Sequence, residues 1–438
     1  MNNGFHARTT AEEVAAFYGD SLSSKTIVVT GANGGLGRET ARVLAKHGAR
    51  VILACRNVTS AQETVDAFQA EGIDTAKVHV QKLDVGDFAS VRAFAADYAR
   101  REWPLHVLVN NAAIMALRDR TLAGDGNELQ FQTNHLGHFL LTNLLAPVLR
   151  ASAPARVVCV SSSAHRRGAV RFDDPAFDSG YDRWLAYAQA KTANILFALQ
   201  LNKLLAAKGV EAFALHPGGI MTHLQEHVSE EEKIAMGWIT ADGSLHPIFK
   251  TIPQGASTHL VAALSPDLSG KGGAYLEDCQ IAQPSDWAKD PVQAEKLWAL
   301  SEEKVGQKFS YSVHRFQANM AAFTTFNLDV GNLICYPDWL HGIRGINHCI
   351  DEIFSENQLN ASRTHTQAIT DDPNLLEHAV FCNANNVGIY YNIIHLPSFC
   401  LGNYMQNIAA ICVIRQNVRI FLLAMLPMDP VAVQCLIR

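Results

Sequence analysis

Thr26-Ile27-Val28-Val29-Thr30-Gly31-Ala32-Asn33-Gly34-Gly35-Leu36-Gly37-Arg38 decides the fold. Five β-branched residues run into a glycine-rich turn, and the helical pattern that follows ends at Gly48. Glycines between a first strand and a helix let the backbone turn tightly and approach a pyrophosphate seated on the helix N-terminus. The same glycines also suit a plain tight βα turn, so the position after a first strand carries the inference. Because Gly34 and Gly35 are adjacent, the spacing fits TGxxxGxG through Gly31, Gly35 and Gly37, and TGxxGxxG through Gly31, Gly34 and Gly37. The loop alone does not choose between them.

Outward from this stretch, short apolar runs alternate with helical patterns. Further strands are expected at 50–54, 77–80, 106–109, 156–160, 210–215 and 273–276. Strands separated by helices imply βαβ units and a parallel sheet covered on both faces. The expected fold class is therefore α/β, a doubly wound Rossmann-type sheet of about seven strands.

The chain has 438 residues, enough for a large core, and its net charge of −6 gives no basic excess for a nucleic-acid partner. Residues 1–20 lack the apolar core of a signal peptide or membrane anchor. The apolar runs near the C-terminus are broken at Arg415, Gln416, Asn417 and Arg419, short of the ~20 residues of a spanning helix. A cytoplasmic location follows. Nine cysteines without CxxC spacing indicate neither a disulfide framework nor a metal site. Composition changes near residue 310: Lys308 is the last lysine, and six of the nine cysteines follow it. Residues 1–310 are taken as one folded unit. The extension 311–438 matches no known pattern and reads as a small appended domain or a non-native extension, the latter preferred.

Tyr187 and Lys191 are four residues apart in a helical run, which puts them on one face, one turn apart. An ammonium near a phenol favours the phenolate, so the pair has the makings of a general acid or base near neutral pH. Alone, such spacing is usually an ordinary surface pair. At the end of strand two stands Cys55-Arg56, with no carboxylate to bond the ribose of NAD. Arg56, helped by Arg38, suits a 2′-phosphate instead and predicts NADP(H) over NAD(H). Asp84 is placed to bond an adenine amine or to cap the next helix. Asn110, after strand four, either cross-links a turn or shapes the cofactor site.

Thr30 to Gly37, Asn110-Asn111-Ala112-Ala113, Asn134-His135-Leu136-Gly137, Val160-Ser161-Ser162-Ser163, Tyr187-x-x-x-Lys191 and His216-Pro217-Gly218 together resemble the short-chain dehydrogenase/reductases in residue type and chain order. Residues 51–57, 131–139 and 297–302 are most similar to the retinol-dehydrogenase-like branch that includes the WW-domain-containing oxidoreductase, without WW domains, over roughly residues 9–308. The resemblance implies a tetrad of Asn134, Ser162, Tyr187 and Lys191, with Ser161 as the fallback serine. Tyr187 would exchange a proton with the substrate oxygen and Ser162 would hydrogen-bond that oxygen. Lys191 would hold the nicotinamide ribose and lower the Tyr187 pKa, and Asn134 would support a relay water. Cofactor contacts are implied for Gly31, Asn33, Gly35, Leu36, Gly37, Arg56, Asp84, Asn110, Ala112, Tyr187, Lys191, Pro217, Gly218 and Thr222. His216 is expected to pack or cap a turn.

Residues 223–250 are expected to form a mobile lid over an apolar substrate pocket, using Met221, Leu224, Met236, Trp238, Ile239 and Phe249. A surface helix that simply packs down fits them equally well. Helical runs at 136–149 and 195–205, apolar on more than one face, suggest a homodimer. The expected function is hydride transfer between NADP(H) and a carbonyl or alcohol group of a small lipophilic substrate. Alternatives are an extended-type epimerase or dehydratase, which shares Tyr-x-x-x-Lys, and a catalytically silent nucleotide-binding regulatory or scaffold protein.

Overall fold

The computed structural model describes residues 4–240 and 242–311, together with the backbone of four strands between 379 and 424. The chain divides into two units, Met1–Met320 and Ala321–Arg438. In the first, eight strands form one sheet: β1 Thr26–Thr30, β2 Arg50–Cys55, β3 Val78–Lys82, β4 Val107–Asn110, β5 Ala155–Val160, β6 Val210–His216, β7 Tyr275–Glu277 and β8 Gln280–Ala282. Their order is β3-β2-β1-β4-β5-β6-β7-β8. β1 to β7 pair in parallel and β8 is antiparallel to β7. The doubly wound parallel sheet is as the alternation required.

The strands are buried on both faces, and their side chains alternate between two cores. Val28, Ile52, Leu108, Val157 and Ala212 enter one core. It is closed by α4 Phe88–Arg100, α6 Gly137–Ala151, α7 Arg183–Leu205 and α10 Pro291–Val305. Ile27, Val51, Val107, Val158 and Phe213 enter the other. That one is closed by α1 Ala11–Tyr18, α2 Gly35–Lys46, α3 Val58–Ala70 and α9 Ile252–Leu264. Among the described residues no helix is long and apolar enough to cross a membrane.

β8 escapes the sequence pattern. It has three residues, and its turn runs through Asp278 (φ 51°) and Cys279 (φ 64°), left-handed positions usually marked by Gly or Asn. Cys279 is held there by its amide on Thr258 Oγ1 at 3.2 Å and by its sulfur 3.0 Å from Ser257 Oγ.

The surplus apolarity of α6 and α7, taken above as a dimer face, has a cause inside the chain. α10 lies against both: the Trp298 ring is 4.9 Å from Phe139 and 6.1 Å from Phe197, and the Tyr311 hydroxyl donates to Asn143 Oδ1 at 2.6 Å. Periodicity reports how much of a helix is buried, not what buries it.

In the second unit, Ala379–Ala384, Val387–Ile394, Ala409–Ile414 and Arg419–Ala424 pair antiparallel in sequence order. The reading of the extension otherwise falls on residues outside those described.

One glycine shows how tightly the first unit is drawn together. A Cβ on Gly137 would stand 1.9 Å from the Val85 carbonyl oxygen, because α6 begins by crossing the loop after β3 backbone to backbone. Gly137→Ala is therefore expected to destabilise the protein by at least about 2 kcal/mol, read as a lowered thermal midpoint. Gly124→Ala, with no atom within 4 Å of the new Cβ, should leave that midpoint unchanged. Equal midpoints for the two variants would remove the steric account.

Candidate active site

α7 starts on Asp182, whose carboxylate accepts from the amides of Trp184 (2.8 Å) and Leu185 (2.9 Å). One turn later Tyr187 and Lys191 point into the core, 3% and 2% exposed, with Lys191 Nζ 5.5 Å from the centre of the Tyr187 ring. Nζ donates to the Val160 carbonyl at the end of β5 (3.1 Å), which also accepts from Asn194 Nδ2 (3.0 Å). The pair is no surface pair.

The serines that follow Val160 separate by direction. Ser161 is buried, and its hydroxyl donates to the Lys191 carbonyl at 2.7 Å, tying β5 to α7. Ser162 turns the other way: its Oγ accepts from Ala164 N at 3.2 Å, and the side chain lies close enough to the Tyr187 phenol to oppose the rise in its pKa. Of these two serines, Ser162 is the one beside Tyr187. His216 caps this turn, its Nδ1 accepting from Ser163 N at 3.1 Å.

Asn134 sits in a π turn, Gln132–Leu136, ahead of α6. Its side chain is fully buried and committed: Nδ2 donates to the Ile114 carbonyl (2.9 Å) and Oδ1 accepts from Ile114 N (2.8 Å). It braces the loop after β4. Asn110 is not the cross-link of that loop; its Nδ2 donates to Thr142 Oγ1 in the core at 2.9 Å. The cross-link belongs to Asn111, whose Nδ2 donates to the Thr30 carbonyl (2.8 Å), and to Thr30 Oγ1, which accepts from Asn111 N (2.8 Å) and Ala112 N (2.9 Å). The threonine before Gly31 was the available signal.

The turn into α2 is a bare cradle. Gly34 caps α2 without a side-chain bond, Gly31 has φ 65° and Gly35 φ 50°. A Cβ on Gly37 would meet the Gly31 carbonyl oxygen at 2.4 Å, and one on Gly31 would meet Ala112 Cα at 3.0 Å. Asn33 Nδ2 reaches Ser60 Oγ at 3.2 Å, and Leu36 packs on the α2 side of the sheet. Uncapped amides at a helix N-terminus, approachable by backbone alone, fit a pyrophosphate. Across the cradle, Thr222 lies against Gly35, its Cγ2 3.3 Å from where a Cβ would stand. Gly218, after Pro217, has φ 106° and packs on Lys250.

At the other end, Arg56 and Arg38 are exposed, and among the described residues neither guanidinium has an ion-pair or hydrogen-bond partner. Arg56 lines a groove of about 860 Å³ with Lys82, Asp84 and Ser90. Asp84 does not cap α4; Asp87 does, accepting from Ala89 N at 2.9 Å, while Asp84 Oδ1 accepts from Gly86 N at 2.9 Å.

The wall around Tyr187 is apolar: Met115, Ala116 and Val228 are buried with it, and Ala164, Trp184, Leu224 and Trp238 pack against them. Ala116 is held at φ 55° by its amide on Gln130 Oε1 (2.8 Å). The 223–250 segment is built from a turn His223–Gln225 and a short helix Glu230–Ala235, which an Arg183–Glu232 ion pair fastens to α7. Its Trp238 ring meets Trp184 and Phe249, each at 6.1 Å. Of the expected pocket residues, Leu224 and Trp238 join the cluster, whereas Met236 is exposed. Met115, Ala116, Trp184 and Val228 were missed because no local pattern marks residues that come together from separate segments.

Burial dominates the electrostatics here. It raises the Tyr187 pKa above its ordinary value, against the Ser162 hydrogen bond, and lowers that of Lys191 to about 7. Desolvation dominates at Tyr187, and the only opposing influence is Ser162, not the lysine one turn away. For Lys191 the folded pKa lies below the unfolded 10.5, so between about 7 and 10.5 the unfolded chain holds more protons. Stability should rise with pH across that window. Denaturant midpoints of the natural protein should thus gain on those of Lys191→Met as pH rises from 7 to 10; parallel profiles would show that the lysine is not desolvated.

The short chain dehydrogenase family model matches residues 25–233. The chain is 42% identical over 285 residues to retinol dehydrogenase 12 of Bos taurus, covering 65% of this chain and 87% of that one. It is 42% identical over 307 residues to the WW domain-containing oxidoreductase of Danio rerio, covering 66% and 71%. A solved structure from Mycobacterium paratuberculosis superposes with a TM-score of 0.53 at 36% identity, covering 66% of this chain and 96% of that one. The chain belongs to the short-chain dehydrogenase family.

Proposed function

We propose that the protein transfers a hydride between NADP(H) and a carbonyl or alcohol carbon of a small lipophilic substrate. The observation that carries this is the Tyr187 phenol, buried beside Ser162 in an apolar wall with a lysine one helical turn away. The nicotinamide cofactor supplies or accepts the hydride; the chain's own groups manage the proton and the charge. Tyr187 exchanges a proton with the substrate oxygen. Burial keeps that proton in place at neutral pH, the state needed to protonate a carbonyl oxygen during reduction. The Ser162 hydroxyl donates to the same oxygen as charge develops on it. Lys191 brings a cation to the ribose and opposes the cost of ionising Tyr187. Asn134 acts through the backbone it braces.

Gly31, Asn33, Gly35, Leu36 and Gly37 would hold the pyrophosphate by backbone. Asp84, Asn110 and Ala112 would flank the adenosine half, and Pro217, Gly218 and Thr222 the nicotinamide. Arg56, with Arg38, would pair with a 2′-phosphate, which favours NADP(H) over NAD(H). The relatives are named retinol dehydrogenases, and Met115, Trp184, Val228 and Trp238 suit an apolar carbonyl or alcohol of that kind. Retinoids, steroids and simple ketones all belong to the proposed class. This chemistry is assigned to residues 1–310, with 311–438 outside it. The cytoplasmic location is part of the same proposal: Cys55, Cys159 and Cys279 are free thiols, which suits a reducing compartment.

The test is turnover of aldehydes, ketones and alcohols followed by NADPH fluorescence. Tyr187→Phe should lower kcat at least about a hundredfold while NADPH still binds; an active Tyr187→Phe protein would end the proposal. Arg56→Ala should raise the Michaelis constant for NADP+ about tenfold and leave that for NAD+ unchanged. A natural protein that prefers NAD+ would refute the cofactor assignment alone.

A further inference from the structure

His138 lies on α6 one turn after Asn134, 2% exposed, and both of its ring nitrogens are engaged. Nδ1 is 3.2 Å from the Asn134 carbonyl oxygen and Nε2 is 2.9 Å from Thr30 Oγ1. A carbonyl only accepts, so Nδ1 carries the proton; Nε2 then accepts from the Thr30 hydroxyl, standing at 2.9 Å closer to it than the Val109 carbonyl at 3.4 Å. That hydroxyl oxygen is the one that receives the amides of Asn111 and Ala112. Burial, and secondarily the Lys191 charge, push the His138 pKa down to about 4, so the ring stays neutral in this one tautomer at working pH.

A helical side chain bonded to the carbonyl four residues back is common. The far end of His138 is not explained that way. Thr30 ends β1 and opens the glycine cradle, 108 residues earlier in the chain. Asn134 belongs to the π turn that packs on α7, close enough to Lys191 for its charge to act on the ring. No other side chain among the described residues is hydrogen-bonded to both segments.

We propose that His138 is a positioning residue, a neutral strut that fixes the cofactor cradle and the Asn134 turn in one register. It deepens the oxidoreductase proposal and rests on it. By holding the Thr30 hydroxyl, the ring keeps the cradle and the loop after β4 at their mutual spacing. By holding the Asn134 carbonyl, it orients the backbone of the turn that carries the asparagine of the implied proton relay. Loss of either end misplaces reacting groups without removing one.

The two ends are separable by substitution. His138→Asn retains a donor near the Nδ1 position and does not reach Thr30. His138→Gln reaches toward Thr30 and leaves the carbonyl. His138→Leu loses both. NADPH affinity, kcat, the solvent deuterium isotope effect on kcat and the thermal midpoint are measured for each. His138→Leu is expected to lower kcat about tenfold to a hundredfold and to weaken NADPH binding. His138→Asn should recover kcat and a natural isotope effect more than affinity, and His138→Gln affinity more than kcat. Natural values of both in His138→Leu would overturn the strut. So would losses in all three variants that simply track the thermal midpoint, the mark of packing alone. If His138→Leu does not fold, the Asn and Gln variants decide, and identical behaviour of those two overturns the inference. A natural protein that binds neither NADPH nor NADH overturns this inference and the oxidoreductase proposal together. Binding with turnover indifferent to Tyr187→Phe overturns only the latter, and the affinity arm still decides the strut.

Discussion

The Lys191 ammonium is buried in a largely apolar core, and among the described residues no carboxylate pairs with it. Desolvating such a group costs several kcal/mol even after relaxation. What the fold offers in return is the Val160 carbonyl, at the C-terminal end of β5, where the lysine meets Asn194 on a shared acceptor. That arrangement requires α7 to lie hard against the strand ends. Ala186, Ala188, Ala190, Ala193 and Ala198 give the helix the small surface that permits it, and Ser161 ties its backbone to β5. It also requires cover on the outer side, which α10 supplies through Trp298 and Phe197. The chemistry of one lysine therefore reaches into the last helix of the unit.

A second constraint is close approach of backbone to backbone. The strand ends can receive a cofactor only if the loops leaving them pack against one another without side chains between. Gly37 stands against Gly31, Gly31 against Ala112, and Gly137 against Val85. These contacts join the loops after β1, β3 and β4 to the start of α6. In Asn134-His135-Leu136-Gly137, the asparagine braces one loop and the glycine admits another. One four-residue motif thus serves two unrelated physical needs, which explains its specificity as a signature.

Whatever depends on neighbours along the chain was legible in the sequence. The seven parallel strands show as short apolar runs alternating with helical patterns, and the spacing of Tyr187 and Lys191 survives because helical geometry is local. What depends on direction in space was not. The serine triplet reads as three equal candidates until Ser161 is seen bonded under α7 and Ser162 beside Tyr187. Asn110 and Asn111 look interchangeable until one turns inward to Thr142 and the other reaches Thr30. The pocket wall is the extreme case, since Met115, Trp184 and Val228 come from three separate segments.

The same distinction bears on the Tyr187–Lys191 pair. Spacing alone suggests an exposed ion-assisted phenol whose pKa falls. Burial reverses the balance, raising the tyrosine and lowering the lysine, so that the resting pair favours a neutral phenol. An acid of that kind gives up its proton only to an oxygen acquiring negative charge at the same place. The apolar wall makes ionisation costly anywhere else, and the Ser162 hydroxyl marks where it is not. In the proposed reaction, selectivity for the transition state would follow from desolvation together with one well-placed hydrogen bond.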